Sequence, residues 1–204
     1  MLVIQRIYRD CNSNEAVVIC DGESYRITVH DLETLSLEEG AQVEEETVEL
    51  LEIAVERLAC IKKAFEYLSY GDLSEKQLRD KLCRKFPKEL SADVAELFVE
   101  RGYVNDGKLA ERYAETFYCF KNMGLGKIRN ELYRRGISRE DIDNALEKYE
   151  DEDQTERIEE FIKKKYDVSR LSDIKYRQKV YAGALRAGFN GSDVVDVLRK
   201  FESE

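Results

Sequence analysis

Apolar residues change their spacing along this chain. Over residues 2–9 (LVIQRIYR), 15–20 (EAVVIC) and 23–29 (ESYRITV), β-branched and aromatic side chains alternate or cluster, and Asp21-Gly22 separates the last two runs. An Asp-Gly pair in that setting is a hairpin signal, so the pattern predicts a small antiparallel β element over 1–30 and a short helical turn over 31–36. Two or three strands alone are marginally stable, and the element is expected to pack on the first helix. From about Glu45 the period becomes three to four. Leu51, Val55, Leu58, Ile61, Phe65 and Leu68 define a long amphipathic helix that stops near Gly71. Ser74-x-x-Gln77 is a capping-box pattern opening a second helix, which ends near Phe86-Pro87, and Ser91 is read as the start of a third.

The rest of the chain repeats this design. KIRNELYRRGISREDIDNAL (127–146) lies over KVYAGALRAGFNGSDVVDVL (179–198) at a shift of 52 residues without a gap. Ile128 falls on Val180, Leu132 on Ala184, Gly136 on Gly188, Ile137 on Phe189, Asp141 on Asp193, Ile142 on Val194 and Leu146 on Leu198. Residues 77–98 fit the same frame with a two-residue insertion around Pro87. Each copy reads as a longer helix, a short middle helix and a third helix. Gly136 and Gly188 fall where the middle helix needs a positive-φ stop, and Ser138 and Asn190 where the third helix needs an N-cap. The fold class is mainly α: three tandem three-helix repeats in an elongated curved array, preceded by a small antiparallel β element. The expected boundaries are 1–45 for the acidic N-terminal element, then 46–104, 105–149 and 150–204 for the repeats.

Composition adds where the charge lies. The 204 residues hold 33 Lys and Arg against 43 Asp and Glu, for a net charge of −10. Residues 1–60 contain four of the bases and fourteen of the acids, which leaves 29 of each sign in the other 144 residues. The sequence pI of 4.9 therefore describes the first segment rather than the repeats. The longest unbroken apolar run, AVVIC, is five residues, far short of a membrane span. The N-terminus lacks the order of a signal peptide, and the five scattered cysteines (Cys11, Cys20, Cys60, Cys83, Cys119) read as reduced, half-buried thiols in a cytoplasmic protein.

Candidate chemistry thins on inspection. GLGK at Gly124 lacks the four-residue gap and the Ser or Thr of a phosphate loop, and no strand precedes it. His30 is the only histidine and falls at a predicted strand end, which suits a surface or capping role. DEDQTERIEEFI, from Asp151, has Glu156 where a calcium loop needs glycine and Ile162 where it needs a carboxylate, and reads as an acidic helix start. Tyr103, Tyr113, Phe117 and Phe120 recur at helical spacing and are expected in the core. No nucleophile, base and oxyanion set assembles, and neither a catalytic nor a metal site is expected.

What recurs is a basic middle helix. Residues 76–88 carry Lys76, Arg79, Lys81, Arg84, Lys85 and Lys88 against only Asp80; residues 127–139 carry Lys127, Arg129, Arg134, Arg135 and Arg139 against only Glu131. Residues 174–192 carry Lys175, Arg177, Lys179 and Arg186 and no acid before Asp193. One such helix is commonly a solvated face. Three at equivalent positions suggest a positive stripe suited to a nucleic acid or an acidic protein groove.

Four segments carry a family resemblance: YLSYGDLSEKQLRDKL (67–82), RGYVNDGKLAERYAETF (101–117), KNMGLGKIRNELYRRGIS (121–138) and KVYAGALRAGFNGSDV (179–194). They resemble the RecX regulatory proteins of bacteria, which modulate the recombinase RecA. The likeness covers about residues 55–203. Its most specific parts are Gly102-Tyr103-x-x-Asp106 and Gly124-x-Gly126-x-Ile128-x-x-Glu131-Leu132, running on to Gly136-Ile137. The β element resembles an extension of some longer members. The resemblance implies a non-enzymatic protein of homologous recombination and the SOS response. Such a protein lies in the groove of the RecA–DNA filament and restrains ATP hydrolysis, strand exchange and co-protease activity, without a cofactor. Many members are more basic overall, and the acidic first sixty residues argue against strong independent binding of DNA. The expected partners are thus the filament, as protein and DNA, and free single- or double-stranded DNA only weakly, with the protein acting as a monomer and no membrane involved. The residues expected to touch filament or DNA are Arg79, Lys81, Arg84, Lys85, Lys127, Arg129, Arg134, Arg135, Lys175, Arg177, Lys179 and Arg186. The alternative is a direct DNA binder using helix-turn-helix-like pairs such as 127–146.

Overall fold

The computed structural model describes residues 2–10 and 13–203; Cys11, in the expected connection between the first two strands, lies outside them. Two units divide the chain. Unit 1 comprises residues 1–72 and 78–103, and unit 2 comprises residues 73–77 and 104–204.

Unit 1 opens with strands β1 (Leu2–Arg9), β2 (Glu15–Cys20) and β3 (Glu23–Thr28), which with a short later strand, β4 (Gln42–Val43), pair antiparallel in the order β3-β2-β1-β4. The Asp21-Gly22 turn is present, with φ of 50° and 84° at its two residues. The fourth strand, β4 (Gln42–Val43), was not anticipated; two residues are too few to show a period. Helix α1 (Val29–Thr34) begins two residues before the predicted turn because the Thr28 side chain caps it, accepting from the Asp31 amide. His30 consequently lies in this helix rather than at a strand end. Helix α2 (Glu45–Ser69) follows, as the period requires. Ile4, Val18, Ile27, Leu32 and Leu51 are buried together, so the sheet does close on the first long helix.

Helix α3 (Glu75–Leu82) has its capping box: Ser74 N–H donates to Gln77 Oε1 and Gln77 N–H to Ser74 Oγ, both at 3.1 Å. Helix α4 (Lys88–Glu100) starts just after Pro87, its N-cap residue, and not at Ser91. Proline's fixed φ and missing N–H suit a helix start, and Ser91 is instead fully buried one turn inside.

In unit 2 the second repeat is α5 (Asp106–Glu115), α6 (Leu125–Arg134) and α7 (Arg139–Glu150), with a π-helical turn over Thr116–Phe120 after α5. The third is α8 (Thr155–Lys165), α9 (Ile174–Arg186) and α10 (Gly191–Ser203). Here the middle helix, at 13 residues, is longer than the first, at 11, contrary to the expected long-short design. The aligned apolar positions are buried in both copies: Ile128 and Val180, Leu132 and Ala184, Ile142 and Val194, Leu146 and Leu198. Gly136 and Gly188 end α6 and α9 at φ of 82° and 90°, and Ser138 caps α7 through the Asp141 amide.

A repeated joint links consecutive middle helices within unit 2. The N-cap of α6 is Gly124. Gly124 N–H donates to Ala187 O at 2.8 Å and Gly126 N–H to Gly188 O at 3.0 Å. The groups at the start of α6 thus satisfy carbonyls left over at the end of α9. A Cβ on Gly124 would overlap the Gly188 carbonyl carbon, and one on Gly188 would overlap the Lys127 amide. The same relation recurs one repeat earlier, where Ser74 Oγ donates to Arg135 O and Lys76 packs over Gly136. Asp106, whose carboxyl pKa is raised by burial, accepts the Glu75 amide at 3.0 Å.

Arg157 of α8 makes a second clamp. It donates to Tyr118 O (3.1 Å), Met123 O (2.8 Å) and Gln154 Oε1, with its guanidinium 3.5 Å from the Tyr118 ring centroid. Burial lowers its pKa.

Two expectations about single residues fail. Cys20 and Cys60 are buried, but Cys83 and Cys119 are exposed. Phe117 is buried and Tyr113 half-buried, whereas Tyr103 and Phe120 are 54% and 81% exposed. The π-turn adds residues to the helical repeat, so spacing extrapolated from α5 puts Phe120 on the wrong face.

Gly124→Ala should destabilise the chain by about 1–3 kcal/mol through overpacking, measured by urea unfolding. Gly126→Ala should change stability by less than about 1 kcal/mol, because better helix propensity offsets its tighter contact. Equal losses would show that the joint has no special closeness. Arg157→Met should cost about 2–4 kcal/mol by leaving two carbonyls unpaired, and thermal unfolding will show whether it does.

Candidate functional site

The twelve predicted cations divide between the units and are described within each. In unit 1, Arg79 and Lys81 lie half-buried on α3, with the Lys81 ammonium 5.2 Å from the centre of the Tyr67 ring. Arg84 and Lys85 follow in the turn after α3. Both are exposed and make no ion pair among the described residues.

In unit 2 the tertiary structure changes the charge count of α6. Arg129 pairs with Asp143 and, at 2.8 Å, with Glu150, both on α7. Glu131 accepts from Arg134 at 2.7 Å through both oxygens and from Arg135 at 3.0 Å. Those two arginines hold the Glu131 carboxyl below its ordinary pKa, Arg134 having the larger effect. Arg135 also donates to Glu131 O at 2.8 Å and covers the rings of Tyr113 and Phe117 at 4.8 and 5.4 Å. Its guanidinium is therefore committed to packing, while the Arg134 side chain remains 71% exposed.

The ion-pair acids on α7 lie 14 and 21 residues from Arg129, beyond the reach of any pattern local to α6. Counting charges along one helix cannot register a neighbour folded against it. The period of α7 does place Asp143 and Glu150 one heptad apart on a common side, which is the available signal.

The third repeat is less neutralised. Lys175 and Arg186 are exposed at opposite ends of α9 and make no ion pair among the described residues. Lys179 lies 5.9 Å from the Tyr176 ring, and Arg177 is half-buried. The α6–α9 joint brings the half-buried Lys127 against the Gly188 backbone, just past Arg186. The basic start of α6 therefore meets the basic end of α9. Such an arrangement can hold anionic groups electrostatically.

Comparison with known proteins follows the same division into repeats. Residues 105–146 match a family model for the second three-helix domain of RecX, and residues 151–198 match one for the third. A protein named Regulatory protein RecX from Caldanaerobacter subterraneus subsp. tengcongensis is 35% identical over 172 residues, covering 80% of this chain and 84% of the relative. Its namesake from Clostridioides difficile is 26% identical and covers 98% of this chain and 96% of the relative. A crystal structure of regulatory protein RecX superposes with a TM-score of 0.82 over 97% of this chain and 98% of the other, at 23% identity. The RecX structure from Lactobacillus salivarius gives 0.62 over 73% of this chain and 98% of the other, also at 23%; at that identity both establish the fold alone. No helix among the described residues is long and apolar enough to cross a membrane. With two of its three-helix domains matched and a relative 35% identical over most of both chains, the chain belongs to the RecX family of regulatory proteins.

Proposed function

We propose that this chain modulates RecA without being an enzyme itself: it binds the RecA–DNA filament and restrains ATP hydrolysis, strand exchange and co-protease activity in DNA repair. The observation that carries the reading is the joint between α6 and α9, which unites the basic ends of two repeated helices in a chain whose relatives are named regulatory proteins. The twelve cations named above are the proposed contact residues of their own units, and six of them fall into two roles. Arg84, Lys85, Lys175 and Arg186 are exposed and unpaired among the described residues, so they meet phosphates or acidic side chains without first breaking an ion pair. Arg129 and Arg135 hold α6 in place through Asp143, Glu150 and Glu131, and contribute mainly by position.

Direct reading of DNA by a helix-turn-helix pair is the weaker account. In that motif the second helix enters the groove. Here the second helix, α7, carries Glu140, Asp141 and Glu147 beyond the Asp143 and Glu150 that pair with Arg129, and these charges repel phosphate.

The test is RecA-catalysed, DNA-dependent ATP hydrolysis with increasing amounts of each variant. Lys175→Glu with Arg186→Glu, and separately Arg84→Glu with Lys85→Glu, should raise the half-inhibitory concentration about tenfold or more. Full inhibition by both folded variants would sink the assignment. Tight binding to free duplex that weakens steeply with salt in the absence of RecA would favour the direct-binding account instead.

A further inference from the structure

Unit 1 contains a cleft of ≈ 540 Å³ between the β3–α1 junction, α2 and α4. Its apolar part is formed by Leu58, Ile61 and Phe65 from α2, Leu97 and Phe98 from α4, and Tyr103 just beyond. Phe65, Phe98 and Tyr103 form a three-ring cluster with centroids 4.7, 5.0 and 5.4 Å apart. Phe98 is buried, yet Phe65 is 44% and Tyr103 54% exposed. Two aromatic rings open to water over a buried third make an apolar seat.

The charges around the cleft are unevenly balanced. On the β-element side, Lys62 is paired with Glu15 at 2.8 Å and Arg57 lies 3.7 Å from Asp31, with His30, Asn14 and Thr28 alongside. On the other side, α4 presents Asp93, Glu96 and Glu100 at spacings of three and four, hence on one side of the helix. All three are exposed and make no ion pair among the described residues. Arg101 is the one cation on that rim without an ion-pair partner among the described residues. Three unpaired carboxylates against one guanidinium beside an exposed aromatic seat match a ligand that is apolar and positively charged at once.

We propose that this cleft docks a short basic segment of a partner protein, anchored by large apolar side chains against Phe65 and Tyr103 and held by Lys or Arg on Asp93, Glu96 and Glu100. The cleft shares no residue with the cations on the middle helices and has the opposite sign. It stands or falls independently of filament binding through those cations.

The experiment uses the full chain and two fluorescein-labelled amphipathic peptides, one with a Leu and Phe face and a Lys face, the other with Glu in place of every Lys. Anisotropy is read in about 150 mM NaCl, where charges more than ~8 Å apart are screened. The Lys peptide should bind, and the Glu peptide at least about tenfold more weakly. Glu96→Lys with Glu100→Lys, and separately Tyr103→Ala, should each weaken the Lys peptide by about tenfold or more. Glu45→Lys with Glu46→Lys, on an exposed acidic turn away from the cleft lining, should leave it unchanged. Equal weakening by that control, equal binding of both peptides, or unchanged binding by the α4 variant would overturn the proposal. So would sedimentation showing that the cleft variants abolish a dimer of this chain. Glu96 and Glu100 are exposed and unpaired, so their variant keeps its fold and decides the matter even if Tyr103→Ala unfolds.

Discussion

The third repeat can meet the second only because two backbones come closer than side chains would permit. Gly124 and Gly188 occupy that contact, and the hydrogen bonds from Gly124 to Ala187 and from Gly126 to Gly188 follow from it. The end of a helix leaves carbonyls without partners and the start of a helix leaves amides without partners. Abutting the two lets each satisfy the other, and places α6 after α9 with little freedom in between. The core positions of both repeats, such as Ile128 and Val180, then close on their own third helices.

The preceding joint reaches the same acceptor with different chemistry. Arg135 O corresponds to Ala187 O, but its partner is the Ser74 hydroxyl, and the Glu75 amide is taken by Asp106. Side chains do there what glycine backbone does later. This accounts for GLGK in functional terms: its glycines serve a close approach between helices rather than a phosphate. It also explains why Gly136 tolerates a neighbouring Lys76 side chain where Gly188 meets backbone.

Charge follows from packing in the same way. Arg129 and Arg135 belong to a basic stretch in the sequence, yet one is tied to α7 and the other covers Tyr113 and Phe117. Arg84, Lys85, Lys175 and Arg186 keep their charge open to solvent. The functional weight of a basic residue here depends on which acids the fold brings to it, and ion pairs already formed must be broken before another anion is bound. On α4 the converse holds, because Asp93, Glu96 and Glu100 find no cation among the described residues and leave a negative rim beside exposed rings.

The elements and their repetition are written in the order of residues along the chain. Period-two and period-3.6 spacing, the Asp21-Gly22 turn, the Ser74 capping box, and Gly136 and Gly188 are all local signals, settled within a few residues by backbone sterics and capping. Local signals also left room for error: Ser91 has a capping residue's chemistry but lies inside a helix begun by Pro87, and the π-turn moved Phe120 outward. Which cations are neutralised, where Phe65 and Tyr103 open a cleft, and what Gly124 is for are settled by the packing of the helices. Each of these depends on atoms far apart in the chain, such as Arg129 with Glu150 or Gly124 with Ala187. Pairings of that kind are fixed by how the helices pack, and the period of a single helix carries no record of its neighbour.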